Sequence, residues 1–201
     1  MLPDFFQTRE SLTITKPNQR EMSIFWTALG DLLREIPQGQ IVDCFTGASG
    51  LYLYPDDLRS RVVGVDRSVF QLRNLQSQLL VSETYPPKTI EALPGNFPFP
   101  DSSVAAVVAV RGVRYLEWDE NRSFTTEAFR ILQPGGPLII LDYSTVDIDE
   151  GFNHSVIRKL EKLFFDPTTY GRMIEALGFR DVKAQYNYLP ELRMHLVSAR
   201  K

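Results

Sequence analysis

The sequence predicts an α/β fold: a doubly wound, mostly parallel, Rossmann-like sheet that ends in an antiparallel pair of strands. Three observations carry this expectation. Short apolar runs alternate with longer segments of helical periodicity along most of the chain. One run, "VAAVVAV", is apolar at every position, as a strand covered on both faces requires. The last two strand-like segments, "DVKAQYNYL" and "LRMHLVSAR", are separated only by "PE", which leaves room for a tight turn but not for a helical crossover. With 201 residues and no low-complexity linker or repeat, the chain is expected to form one domain over 1–201. Within it, 1–36 would be an N-terminal arm and helix, and 40–201 the sheet core.

The elements follow in order. Pro17 to Ile36 reads as the first helix, with Pro17 in its first turn and Ile24, Phe25, Ala28, Leu29, Leu32 and Leu33 at helical spacing. "QIVDCF" is the first strand, and "LYLY" a brief helix stopped near Pro55. "RVVGVD" is a second buried strand, after which Ser68 caps the helix "VFQLRNLQSQLL". "KTIEAL" is a weak third strand, and the proline-punctuated "PGNFPFPDSS" a loop. "VAAVVAVRGV" is the fourth strand, "NRSFTTEAFRIL" a helix, "QPGGP" a turn and "LIILDY" the fifth strand. Helical text runs from Asn153 to Phe165 and from Thr168 to Leu177, where Gly178 ends it.

Composition narrows the class. Apolar residues make up 43% and charged residues 23%, as in ordinary soluble domains. The net charge of −3 supplies no broad basic field, so nucleic acid is not an expected partner. No run is long enough to span a bilayer, and the N-terminus lacks a secretory pattern. The single cysteine, Cys44, excludes an internal disulfide and a cysteine-based metal site, which fits a cytoplasmic setting. Buried between apolar neighbours, it reads as a packing residue rather than a nucleophile.

The chemistry concentrates after the first two strands. "DCFTGASG", from Asp43 to Gly50, has the form of a glycine loop between a strand and a helix. Asp66 ends the next strand about twenty residues beyond. Glycines let a backbone approach a ligand closely, and a carboxylate at the neighbouring strand end can accept hydrogen bonds from ribose hydroxyls. Ligands of such sheets sit beyond the carboxyl ends of the strands.

The downstream text is more specific. "LPGNFPFPDSSVAAVVAV", then "EAFRILQPGGPLIILDYS", then "ALGFRDV" resemble the class I S-adenosylmethionine-dependent methyltransferases. The small-molecule type that includes the ubiquinone and menaquinone biosynthesis methyltransferases is the nearest in pattern. The resemblance runs from about Ile41 to the C-terminus. It implies S-adenosylmethionine as cofactor and a small-molecule acceptor. Carried over residue by residue, it implies that Asp43, Phe45, Gly47 and Ser49 lie in the cofactor loop, with Asp66 and Arg67 at the ribose. Asn96 and Phe97 would lie near the adenine, and Arg111 beyond the fourth strand. The loop departs from the family's Asp-x-Gly-x-Gly-x-Gly: Phe45 and Ser49 stand at the first and third glycine positions. A bulky residue at the first would be strained if its φ were positive, and its ring would enter the pocket. Leu93 and Pro94, or Glu91 and Ala92 if Gly95-Asn96 is an insertion, replace the family's Asp-Ala. Val110, Arg114 and Tyr115 replace polar residues after the fourth strand.

Methyl transfer from a sulfonium is a direct displacement that needs alignment and at most a base. His154, Tyr143 and Tyr115 are the candidate bases. His195, within the last strand, reads as a surface or packed residue, and "VDIDE" as a solvated loop rather than a metal site. Arg111 and Arg114 face either an acidic acceptor, the cofactor carboxylate, or ion pairs with Glu117, Asp119 or Glu120. Phe25 and Trp26 read as packing, and Phe5 and Phe6 as a lid or partner contact. Two functions stay open: a methyltransferase, or a methyltransferase-like fold that has lost transfer and serves as a cofactor-binding or protein-interaction module.

Overall fold

The structure, a computed structural model, describes residues 18–34, 36–48, 50–80, 88–143 and 166–201. Its centre is a seven-stranded sheet of order β3-β2-β1-β4-β5-β7-β6. The strands are β1 (Ile41–Cys44), β2 (Val62–Asp66), β3 (Lys88–Glu91), β4 (Ala106–Val110), β5 (Pro137–Tyr143), β6 (Arg180–Leu189) and β7 (Met194–Arg200). The first five run parallel; β7 pairs antiparallel with both β5 and β6. The expected doubly wound sheet with its antiparallel pair is therefore present.

Side-chain alternation divides the core. One sheet face, with Val42, Val63, Val107, Ile140 and Val197, packs on Phe124, Ala128 and Ile131 of α4 (Trp118–Ile131) and on Tyr170 and Ile174 of α5 (Pro167–Ala176). The other, with Ile41, Val62, Val108 and Leu141, packs on Phe25, Leu29 and Leu33 of α1 (Gln19–Leu32) and its following turn, and on Leu75 of α3 (Val69–Leu80). A single 3₁₀ turn, Gly50–Leu53, stands where "LYLY" was expected to be helical. The short helix α2 (Asp56–Arg59) after Pro55 was not expected.

The helix starts show which local signals win. α1 begins at Gln19, not at Pro17, because Asn18 and Glu21 form a reciprocal capping box. It ends at Leu32 rather than at Ile36. Ser68 caps α3 as expected, its hydroxyl accepting from the Gln71 amide at 3.3 Å. α4 starts three residues before the expected Asn121, where Glu117 and Glu120 make a second capping box. Gly178 takes φ +101 at the end of α5, a conformation that favours glycine. The helical text from Asn153 to Phe165 lies outside the described residues.

Candidate functional site

The strand order reverses between β1 and β4, so the loops beyond their carboxyl ends open a crevice at the switch point. The β1 loop is folded back onto the sheet. Asp43 is buried, one carboxylate oxygen accepting from Tyr54 Oη at 3.0 Å. Its other oxygen and the Thr46 hydroxyl are buried without a hydrogen-bond partner among the described residues. Both lie against Gly50, where a Cβ would overlap them. Thr46 also covers Gly64, the register partner of Asp43 on β2; a Cβ there would come within 2.9 Å of the threonine methyl. Burial pushes the Asp43 carboxyl up to about 7, opposed by the hydrogen bond from Tyr54.

Asp66 organises the open side of the same loop. One oxygen accepts from the Gly47 amide at 2.9 Å and the other from Ser68 at 2.8 Å. A carboxylate oxygen has two lone pairs, so each retains capacity for a ligand hydroxyl. Burial raises the Asp66 carboxyl, while the Ser68 and Gly47 amides act against that shift. Gly47 adopts φ +55, and a Cβ built there would meet nothing closer than the Phe45 carbonyl at 3.9 Å. Among the described residues, nothing else fills the space beside Gly47.

Phe45 takes φ +62, so the left-handed strain foreseen from its register is real. Its ring packs edge-on against Phe124 of α4, centroids 5.1 Å apart. It also lies on Gly112, just beyond β4, where a Cβ would overlap it. Phe45 and Gly112 are therefore a matched pair across the switch point, and the glycine makes room for the ring.

The remaining expected cofactor residues fall into two groups. Arg67 reaches α4 and pairs with Glu120 at 3.3 Å. Asn96 is exposed, its amide bonded to the Leu93 carbonyl. The Phe97 ring is buried edge-on against Phe124, the ring that Phe45 also meets, and its amide donates to Glu127 at 2.8 Å. Glu127 and Arg130, the acid and base of "EAFRIL", act together. Arg130 binds Glu127, Asp101 and the carbonyls of Phe97 and Phe99, and so ties the proline-rich loop to α4. Arg130 holds the Glu127 carboxyl below its ordinary value. Ser49 and His154 lie outside the described residues, as do Phe5, Phe6 and the "VDIDE" segment.

Beyond β4 and β5 the aromatic and basic residues converge. Arg111, at φ +59, stacks over Phe25 of α1 at 5.1 Å and over Tyr143 at 5.6 Å. Its ionic neighbour is Glu21, at 3.6 Å. Arg114 lies over Tyr143 and Tyr115, each at 4.7 Å, donates to the Tyr115 hydroxyl at 2.6 Å, and stands 3.6 Å from buried Asp142. None of Glu117, Asp119 and Glu120 pairs with these two arginines; strand order brings α1 and β5 to them instead. Burial raises the Tyr143 phenol, which disfavours it as a base at neutral pH and suits it to donate a proton in a hydrogen bond. His195 is buried, its Nδ1 accepts from the Asn187 amide at 2.8 Å, and it is the register partner of Asp142 on β5, a packed residue as expected. Phe25 is fully buried, and Trp26 donates its indole N–H to the Tyr52 carbonyl at 3.0 Å. The Cys44 thiol is buried and pushed well up by that burial, which leaves it unreactive. Among the described residues no cluster of three or more histidine, cysteine or acidic side chains could hold a metal ion. No helix among them is long and apolar enough to cross a membrane.

The sequence missed Thr46, Gly112, Glu21 and Asp142. Only Glu21 had a local signal, three residues after Asn18 in a capping box.

Residues 41–136, from β1 to the turn before β5, match a family model described as a methyltransferase domain. Three solved structures show the same fold. One is a SAM-dependent methyltransferase from Aquifex aeolicus: 18% identity, TM-score 0.66, covering 90% of this chain and 93% of that one. A protein from Pyrococcus horikoshii has 13% identity and TM-score 0.74, over 100% and 99% of the two chains. A phosphoethanolamine N-methyltransferase from Haemonchus contortus, in complex with phosphomonomethylethanolamine and S-adenosylhomocysteine, has 14% identity and TM-score 0.67, over 87% of this chain and 52% of that one. No curated protein matches the sequence. The fold is the one these solved structures share, and residues 41–136, which carry the loops after β1, β2 and β4, match the methyltransferase domain model.

Proposed function

We propose that the protein binds S-adenosylmethionine in the β1/β4 crevice and transfers its methyl group to a small-molecule acceptor, in a cytoplasmic setting. The observation that carries this is the Asp66 carboxylate at the end of β2, clasping the amide of Gly47 beside open space. That arrangement fits a ribose: a strand-end carboxylate with spare lone pairs, next to a backbone with no side chain in the way. When bound, the cofactor supplies an electrophilic methyl group. The chain supplies placement. Asp66 orients the ribose, Gly47 allows close approach, and Phe45 closes the β4 side of the crevice and excludes water from it. Tyr143 and Tyr115 present hydroxyls beyond β4 and β5, where an acceptor would be aligned. Of the small-molecule methyltransferases, the ubiquinone and menaquinone type remains the nearest in sequence pattern, with a glycine loop altered at Phe45 and Ser49.

Calorimetric titration with S-adenosylmethionine and S-adenosylhomocysteine tests the reading. Loss of a charge-assisted hydrogen bond in Asp66→Asn should weaken binding about ten- to a hundredfold. Absence of binding to folded wild-type protein would sink the proposal. It would favour the second reading, a fold retained without transfer, for which the strained Phe45 ring across the crevice is the specific observation.

A further inference from the structure

We propose that Arg111 and Arg114 form the anion-binding half of the acceptor site, selecting a small organic acid, a carboxylate or a phosphate ester, laid against the Tyr143 ring. This rests on the methyltransferase reading above and names the class of its acceptor.

The argument starts from unmet hydrogen bonds. Among the described residues, Arg111 Nε and Nη2 are buried without a hydrogen-bond partner, and the same holds for Arg114 Nε. A guanidinium carries five donors in a planar fork, and leaving them buried and unpaired is costly. The aromatic neighbours do not meet this need. Phe25, Tyr143 and Tyr115 attract the faces of the guanidinium groups, whereas the N–H donors lie along the edges.

The nearby acids lie just beyond hydrogen-bond reach: Glu21 Oε1 is 3.6 Å from Arg111 Nη2, and Asp142 Oδ1 is 3.6 Å from Arg114 Nε. Asp142 already accepts the amides of Tyr143 at 2.8 Å and Arg114 at 3.1 Å, and Glu21 accepts the Asn18 amide at 3.2 Å. They stand 3.6 Å from the arginines, so they balance charge without making hydrogen bonds to the guanidinium groups. A bidentate anion would supply what is missing.

Backbone strain points the same way. Arg111 holds φ +59 at the end of β4, where a non-glycine residue is unfavourable. Strain of this kind persists where the surrounding structure fixes a side chain for use.

The direction of Arg111 separates this site from the cofactor's. Its guanidinium runs toward α1 and β5, to Phe25 and Tyr143. The Gly47–Asp66 hydrogen bond lies at β1 and β2, on the other side of β4 in the strand order.

The test is calorimetric titration of the full chain with benzoate, phenyl phosphate and uncharged benzamide, with and without saturating S-adenosylhomocysteine. At least one anion should bind about tenfold or more tightly than benzamide, and binding should persist with the nucleoside present. The stronger of the two anions assigns carboxylate or phosphate. Arg111→Gln and Arg114→Gln should each weaken the anion about tenfold while leaving S-adenosylhomocysteine affinity unchanged. Equal binding of benzoate, phenyl phosphate and benzamide to wild-type protein would overturn the proposal, whatever the stability of the variants. So would displacement of the anion by S-adenosylhomocysteine, with Arg111→Gln weakening that ligand but not 5′-methylthioadenosine; the arginines would then hold the cofactor's carboxylate. If anions bind as expected and S-adenosylhomocysteine does not bind at all, the anion site stands and the methyltransferase reading alone falls.

Discussion

The pairing of Phe45 with Gly112 makes a quantitative prediction. Gly112 has φ −120, outside the left-handed region, so Gly112→Ala carries no left-handed penalty. The three atoms nearest a new Cβ there all belong to Phe45, and the overlap forces the ring to move. Overpacking of this kind costs about 1–3 kcal/mol. Phe45→Gly removes the obstacle. It relieves left-handed strain of roughly 1–2 kcal/mol. Against that it loses the edge contact with Phe124, about 0.5–1.5 kcal/mol, and part of the roughly 1.5–3 kcal/mol of a fully buried ring. Phe45→Gly alone should therefore destabilise by only about 1 kcal/mol. In that background Gly112→Ala should cost nothing, or stabilise by about 0.4–1 kcal/mol through the unfolded chain. Urea unfolding of the four proteins of the double-mutant cycle measures the coupling, expected at about 1–3 kcal/mol. An equal cost for Gly112→Ala in both backgrounds would refute the pairing. Cofactor titration on the same proteins has its own expected outcome: Phe45→Gly binds S-adenosylhomocysteine more tightly if the ring narrows the pocket.

Two further predictions concern the network behind the loop. The folded protein holds the Asp43 proton more tightly than the unfolded chain does, so its stabilising contribution is complete below pH 3.8 and is lost as the pH rises through about 7. Asp66 and Asp142 shift in the same direction, so the comparison is wild type minus Asp43→Asn, which removes the Asp142 effect and leaves of Asp66 only its charge coupling to Asp43. That difference should fall by about 1.4 kcal/mol per pH unit between these limits, roughly 4 kcal/mol in all, measured by urea unfolding at several pH values. A pH-independent difference would show that Asp43 stays ionised in the fold. Arg130→Lys keeps the charge but loses the fork in which Nη2 reaches the Phe97 and Phe99 carbonyls while Nε and Nη1 hold Glu127 and Asp101, and should cost about 1–2 kcal/mol given the partial exposure of the side chain. Faster hydrogen exchange at the Phe97 amide should accompany it; unchanged exchange would mean the loop does not depend on Arg130.

The parallel sheet was legible because its strands are buried on both faces, and such strands leave continuous apolar runs such as "VAAVVAV" in the text. Helix starts were less legible. Pro17 fits a first turn by itself, but Asn18 and Glu21 satisfy two backbone donors together, and the reciprocal cap fixed the start at Gln19. α2 was missed because four residues are too few to show a period. At the site, the register of the glycine loop located the strain at Phe45 correctly, since a position fixed relative to the end of β1 inherits its backbone geometry. The compensation at Gly112 was not legible: it is a contact between loops 67 residues apart in number, set by the adjacency of β1 and β4.

The arginines show the same limit more sharply. Acids close in sequence, Glu117, Asp119 and Glu120, were the natural partners to expect, but two of the three have other tasks. Glu117 and Glu120 cap α4, and Glu120 also pairs with Arg67. A helix that must start beside the crevice uses its first-turn acids on its own amides. The arginines that emerge from β4 are then left to α1 and β5, whose acids are already hydrogen-bonded to backbone. The donors left over at Arg111 and Arg114 are thus a consequence of how three neighbouring elements satisfy their own termini. An α4 that released Glu120 to Arg111 or Arg114 would remove the reason for an anion to bind there, and the ion pair with Arg67, at 3.3 Å, holds Glu120 away from that role.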